Sequence, residues 1–134
     1  MSHGENLSVP NSSGTAAPLL RAPPGACDSH MHIFDPQRPR ACGSTGIGAR
    51  HAGVDEYRLL QRRLGVERAV VVTPRYYLTD NSVTLAAIGA LGIECTRGVA
   101  VVAPDIGRNE LLALREGGIR GVRSAAPRAR GKSG

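Results

Sequence analysis

An aspartate and two histidines occupy alternate positions in CDSHMHIFDP, residues 27–36. In an extended chain, side chains two apart point the same way. Asp28, His30 and His32 are therefore expected on one face, and Cys27, Ser29 and Met31 on the other. Two imidazoles spaced in this manner can converge on one divalent metal, with zinc the first candidate. Without metal, a neutral imidazole can hold a substrate oxygen, donating from one nitrogen and accepting at the other. The alternative is a hydrogen-bonded histidine pair on a loop shoulder that does no chemistry.

A second polar group follows in TPRYYLTDN, residues 73–81. Arg75 offers a planar fork of donors suited to a carboxylate, and Tyr77 and Thr79 carry hydroxyls that could bind the same ligand. Against this, Thr79 and Asp80 could do no more than cap a helix. Arg123 ends the segment GIRGVR, residues 118–123, where it could face the same mouth. Two arginines directed at one pocket would favour an anionic ligand. His51, in a glycine-rich loop, carries a weaker signal, and His3 reads as solvated terminus.

The elements that must position these groups follow a regular order. Residues 1–25, interrupted by Pro10, Pro18, Pro23 and Pro24, read as a flexible lead-in. Residues 26–32 can form a strand stopped near Pro36. Gln37 to Gly53 is too rich in glycine for a stable helix. Asp55 to Leu64 then places Tyr57, Leu60 and Leu64 on one helical face, with Gly65 to end it. Ala69 to Val72 is a continuous apolar run closed by Pro74, the pattern of a parallel strand covered on both faces.

The next helix is capped by Thr79 or Asp80, buries Val83, Ala87 and Leu91, and stops at Gly92. RGVAVVAP is a third strand, and Arg108 to Glu116 a helix carrying Leu111 and Leu114 before Gly117-Gly118. Residues 119–123 form a fourth strand. Such a βα series is most simply a parallel sheet with right-handed crossovers. No dinucleotide glycine fingerprint follows the first strand, and GKSG at residues 131–134 lacks the upstream glycine of a phosphate loop.

The chain has 134 residues, enough for one domain but short of the roughly 250 of a complete barrel of eight βα units. Hydrophobic residues make up 41%, which permits a packed core. No run approaches the roughly 20 apolar residues of a membrane span, and the start lacks an export signal, so the cytoplasm is the default. Cys27, Cys42 and Cys95 are odd in number and widely spaced, and read as free thiols. The net charge is +6, but aromatic content is 3% and arginines form no helical stripe, which argues against nucleic acid as a partner. SAAPRARGKSG, residues 124–134, has three basic groups and no acidic one, and is foreign to the series before it.

Four segments, in this order and separation, carry a family resemblance: ACDSHMHIFDP (26–36), RLGVERAVVVTPRYYLTDN (63–81), LGIECTRGVAVVAPD (91–105) and GIRGVR (118–123). They resemble the N-terminal half of the amidohydrolase-related family, in its branch of pyrone-dicarboxylate lactonases. The resemblance implies an α/β fold of the TIM-barrel (β/α)8, metal-dependent hydrolase type. Residues 26–123 would be a partial barrel of about four strands and three helices.

It further implies that His30 and His32 are catalytic and are the metal ligands, the metal being divalent or dispensable. Arg75, Tyr77, Thr79 and Arg123 would bind a small carboxylated or lactone substrate. Activated water would attack the ester carbonyl, with the histidines and arginines stabilising the oxyanion. Three departures matter. Arg75 stands where the family often has a small polar residue. PRACGSTGIGARHAG (39–53) replaces an aromatic-rich segment, and Ser124-Ala125 replaces the usual continuation after the fourth strand. The later barrel half, with its general-base aspartate, does not follow. The expectation is a hydrolase fragment inactive by itself, or else a non-catalytic half-barrel that self-associates or binds a partner.

Overall fold

The computed structural model describes residues 8–125; the expected roles of His3 and of residues 126–134 lie outside them. The elements run β1 (Cys27–Met31), α1 (Val54–Leu64), β2 (Arg68–Val72), α2 (Ser82–Leu91), β3 (Thr96–Val102), α3 (Arg108–Glu116) and β4 (Ile119–Ser124). The four strands form one sheet in the order β1-β2-β3-β4, and every neighbouring pair is parallel. The fold is therefore α/β, as the series predicts. β1 and β4 are the sheet edges.

Each helix is bounded by residues that satisfy its loose backbone groups. Glu56 Oε2 accepts the Gly53 N–H at 3.0 Å, the reach-back half of a capping box. Gly65 ends α1 in the left-handed conformation, φ 72°, donating its N–H to Gln61 O. A single 3-10 turn at Arg75–Tyr77 precedes α2, which begins at Ser82. Asp80 serves that start as the sequence suggests, because its Oδ1 accepts the Ser82 N–H at 3.0 Å.

One core joins helices to sheet: Met31 and Ile33 after it, Tyr57 of α1, Ala69 and Val71 of β2, Ala87 and Ile88 of α2, Ala100 and Val102 of β3, and Ile119 of β4. Gly98 sets how closely α2 approaches β3. A Cβ there would lie 2.6 Å from Ile119 Cδ1 and 2.7 Å from Ile88 Cδ1, so only hydrogen fits between the two isoleucines. α3 is different, since none of its residues is buried. Leu114 packs against the core, while Leu111 and Leu112 remain 39% and 41% exposed.

One boundary moves. Ser124 pairs with Val102 and Ala125 N–H donates to Val102 O, so β4 continues past the expected limit at residue 123. The lead-in holds no regular element before Cys27, as its prolines dictate, yet it is fastened rather than loose. Arg63 donates to Ser12 Oγ, Ser13 O and Ala16 O, Asn11 Nδ2 donates to Arg50 O, and Val9 is buried.

Candidate active site

The sheet delivers the two histidines through an irregularity in β1. Asp28 pairs with Ala69 and Met31 with Val71, three steps along β1 against two along β2. Such a bulge reverses the alternation of side chains. Asp28 and Met31 consequently share the helix-facing side: Asp28 Oδ2 accepts the Tyr57 hydroxyl of α1 at 3.1 Å, and Met31 joins the core. The expectation that Asp28 shares a face with His30 and His32 is corrected. The local cause is visible, as Asp28 Oδ1 accepts the His30 N–H at 3.2 Å and bends the strand there. Burial, followed by the adjoining Asp28 charge and hydrogen bond, pushes the Tyr57 hydroxyl far above its ordinary value.

His30 and His32 flank Met31 and point away from the helices. Their rings meet edge to face with centroids 5.1 Å apart. His32 Nδ1 lies 2.7 Å from Val72 O. A carbonyl can only accept, so Nδ1 carries the proton and Nε2 of the neutral ring presents its lone pair. That lone pair can bind a metal or take a proton from water.

Arg123 comes to the same strand end from the other side. It pairs with Val101 in the ladder, and Val101 alternates with core residues Ala100 and Val102, so Arg123 also points away from the helices. Its Nη2 donates to Thr73 O at 2.6 Å. His32 and Arg123 are thus tied to successive carbonyls, Val72 and Thr73, at the carboxyl end of β2.

That end is held by a buried network the sequence reading missed. β2 stops at Val72, and the Asn81 amide replaces the missing strand residue. Asn81 Oδ1 accepts the Val101 N–H at 2.9 Å and Nδ2 donates to Val101 O at 2.9 Å. Thr73 Oγ1 donates to Asn81 Oδ1 at 2.8 Å and lies 2.7 Å from Thr84 Oγ1. The signal was present: Asn81 closes the TDN segment whose first two residues drew attention as a cap.

The other expected substrate residues are placed differently. Tyr77 is 2% exposed, and its hydroxyl oxygen accepts the Asp35 N–H at 3.0 Å. It pins the loop after β1, and burial raises its pKa. Arg75 is exposed at the start of the 3-10 turn, with its carbonyl accepting Ser44 Oγ at 2.7 Å. Thr79 is exposed, and its carbonyl accepts Asn81 Nδ2 at 3.1 Å. Only His30, His32 and Arg123 of the expected set are brought to one face and one end of the sheet.

The residues present do not complete a zinc site. A catalytic zinc takes three protein ligands, whereas among the described residues no group of three or more His, Cys, Asp or Glu side chains could hold a metal. His30 and His32 would supply two of them.

The fold is similar to that of solved structures. A protein of Agrobacterium tumefaciens, solved in the apo state, superposes with a TM-score of 0.73 at 29% identity, covering 80% of this chain and 39% of that one. A probable 2-pyrone-4,6-dicarboxylic acid hydrolase from Acinetobacter baumannii, with citric acid bound, gives 0.68 at 28% identity, covering 74% and 37%.

Among curated proteins, the 4-sulfomuconolactone hydrolase of Hydrogenophaga intermedia is 34% identical over 108 residues, 77% of this chain and 34% of that protein. The D-galactarolactone isomerase of Agrobacterium fabrum is 32% identical over 113 residues, 83% and 38%. The 2-pyrone-4,6-dicarboxylate hydrolase of Comamonas testosteroni is 34% identical over 108 residues, 79% and 35%. The chain spans about a third of the length of these relatives. No family model matches it.

Proposed function

We propose that residues 26–123 are the opening strands of a barrel hydrolase of the amidohydrolase-related type that acts on lactones carrying acidic groups. The observation carrying this reading is the attachment of His32 and Arg123 to the consecutive carbonyls of Val72 and Thr73. It places a proton acceptor and a fixed cation at the carboxyl end of a parallel sheet, where βα barrels collect their reactive groups. The relatives support it, since by name they act on a muconolactone, a galactarolactone and a pyrone dicarboxylate.

In the reaction a water oxygen attacks the ring ester carbonyl and the ring C–O bond breaks to give the open hydroxy acid. His32 Nε2 accepts the water proton, because its other nitrogen is held by Val72 O. Arg123 spends one donor on Thr73 O and keeps the others for a substrate carboxylate or the developing oxyanion. His30, edge-on to His32, confines that ring. In the alternative in which a divalent metal binds, it would polarise the carbonyl, with His30 and His32 among its ligands and the remainder from outside this set, and His32 Nε2 would then hold the metal instead of taking the proton.

Isolated, the 134-residue chain is expected to be inactive, because His30, His32 and Arg123 stand on one face of an open four-stranded sheet and no three side chains among the described residues complete a metal shell. The test is a chimera in which residues 26–123 replace the matching segment of the Comamonas testosteroni hydrolase. Hydrolysis of pyrone dicarboxylate that falls at least about a hundredfold in H32A and R123A is expected. A folded chimera that opens none of the three relatives' lactones overturns the reading.

A further inference from the structure

The aromatic residues of this chain are few and concentrated. It has one Phe, three Tyr and no Trp, and three of these four residues, Phe34, Tyr76 and Tyr77, line a single cavity of about 670 Å³. That volume falls in the roughly 300–1,000 Å³ range of small-molecule sites. Neither His30 nor His32 lines it. The Phe34 ring stands between, 6.5 Å from His32 and 5.5 Å from Tyr76, edge to face with both. The glycine-rich loop also lines it, through Arg50 and His51, as does Arg38.

The wall is built rather than draped. Ser44 is buried, donating to Arg75 O at 2.7 Å and accepting the Gly46 N–H at 3.0 Å, and Ala41 N–H donates to Tyr76 O. A Cβ at Gly46 would sit 2.4 Å from Tyr76 N, and one at Gly48 2.6 Å from Tyr76 Cε2. The loop therefore lies directly on Tyr76, and its glycines are what allow it to.

Charge decides the class of ligand. Two acids also line the cavity, Asp35 and Glu56; each keeps its charge, but an oxygen of each is committed to a backbone N–H of its own loop or helix, from Gln37 and Gly53 respectively. Arg38 and Arg50 form no ion pair among the described residues, where Arg58–Asp55 is the pair present. Arg38 adds only a minor pull on Asp80. A ligand that satisfies an aromatic wall and unpaired guanidinium groups together is flat, unsaturated and anionic.

We propose that this cavity is a second binding site, distinct from the His30–His32 face, for a planar unsaturated carboxylate. The ring lies against Phe34 and Tyr76, and the carboxylate meets Arg50 and Arg38. The proposal does not rest on the lactone reading, because it concerns binding by residues outside that site.

The test uses the intact 134-residue chain and benzoate, followed by amide NMR shifts. Shifts at Gly48, Arg50 and Tyr76 are expected to saturate with a Kd on the order of 1 mM. Cyclohexanecarboxylate, equal in charge but without a flat π-system, should bind at least about fivefold more weakly. The double variant R38Q/R50Q should lose about tenfold in affinity, whereas E56Q, which keeps the cap but removes an opposing charge, should gain. Shifts confined to His30, His32 and Arg123 would overturn the proposal. Equal binding of the two acids, an unaltered R38Q/R50Q, or no shift at about 10 mM benzoate would do so too.

Discussion

Asn81 serves four partners with one amide: the N–H and carbonyl of Val101, the Thr73 hydroxyl and the Thr79 carbonyl. The Val101 groups are buried, so removing the amide leaves them without their partner and without water, while Thr73 keeps Thr84. Asn81→Ala is expected to lower the unfolding free energy by about 2–4 kcal/mol, measured by urea titration. In the chimera it should also cost activity, because Arg123 hangs from the same Thr73.

Tyr57 gives a pH signature. Its hydroxyl is held protonated above the range near 10 where an unfolded tyrosine ionises. The folded state then binds the proton more tightly than the unfolded one. The stability it contributes is full below about pH 10 and is lost as pH rises through the folded value. Alkaline titration of Tm should show a decline beginning there, and Tyr57→Phe should flatten it while costing about 1 kcal/mol at neutral pH. An unchanged slope in the variant would remove Tyr57 as its source.

At the scale of elements, the packing of α2 on β3 depends on Gly98. The Ile88 and Ile119 methyl groups leave no room for a Cβ, so Gly98→Ala forces the helix outward. A loss of about 1–3 kcal/mol is expected, read from urea midpoints. Helix and strand types were legible from period and punctuation. The β2 run, the α1 face and the Arg108–Glu116 helix all stand where the pattern puts them. What was not legible is irregular backbone. The bulge in β1 adds one residue to a register set by the neighbouring strand, and alternation within CDSHMH alone cannot reveal it. The 3-10 turn likewise arises because loop residues 41–48 dock on it through Ala41 and Ser44.

For the whole molecule, the edge strand β4 is uncovered. Its Val122 is 54% exposed and lines a groove with the partly exposed Leu111 of α3. Such an edge favours association over a dispersed monomer. Sedimentation velocity is expected to show a weight-average coefficient that rises with concentration and falls back in Val122→Lys; a concentration-independent monomer would contradict this. Among the described residues no helix is long and apolar enough to cross a membrane.

The sequence by itself determined the α/β series and the parallel sheet, and it set His30, His32 and Arg123 near strand ends, since these follow from local period, capping and position. Only the tertiary structure decided which of the remaining polar groups join them. Asp28 turned to Tyr57, Tyr77 turned inward to Asp35, and Asn81 became the brace of the strand ends. Each of those outcomes depends on a partner 20 or more residues away, and no local pattern encodes so distant a contact.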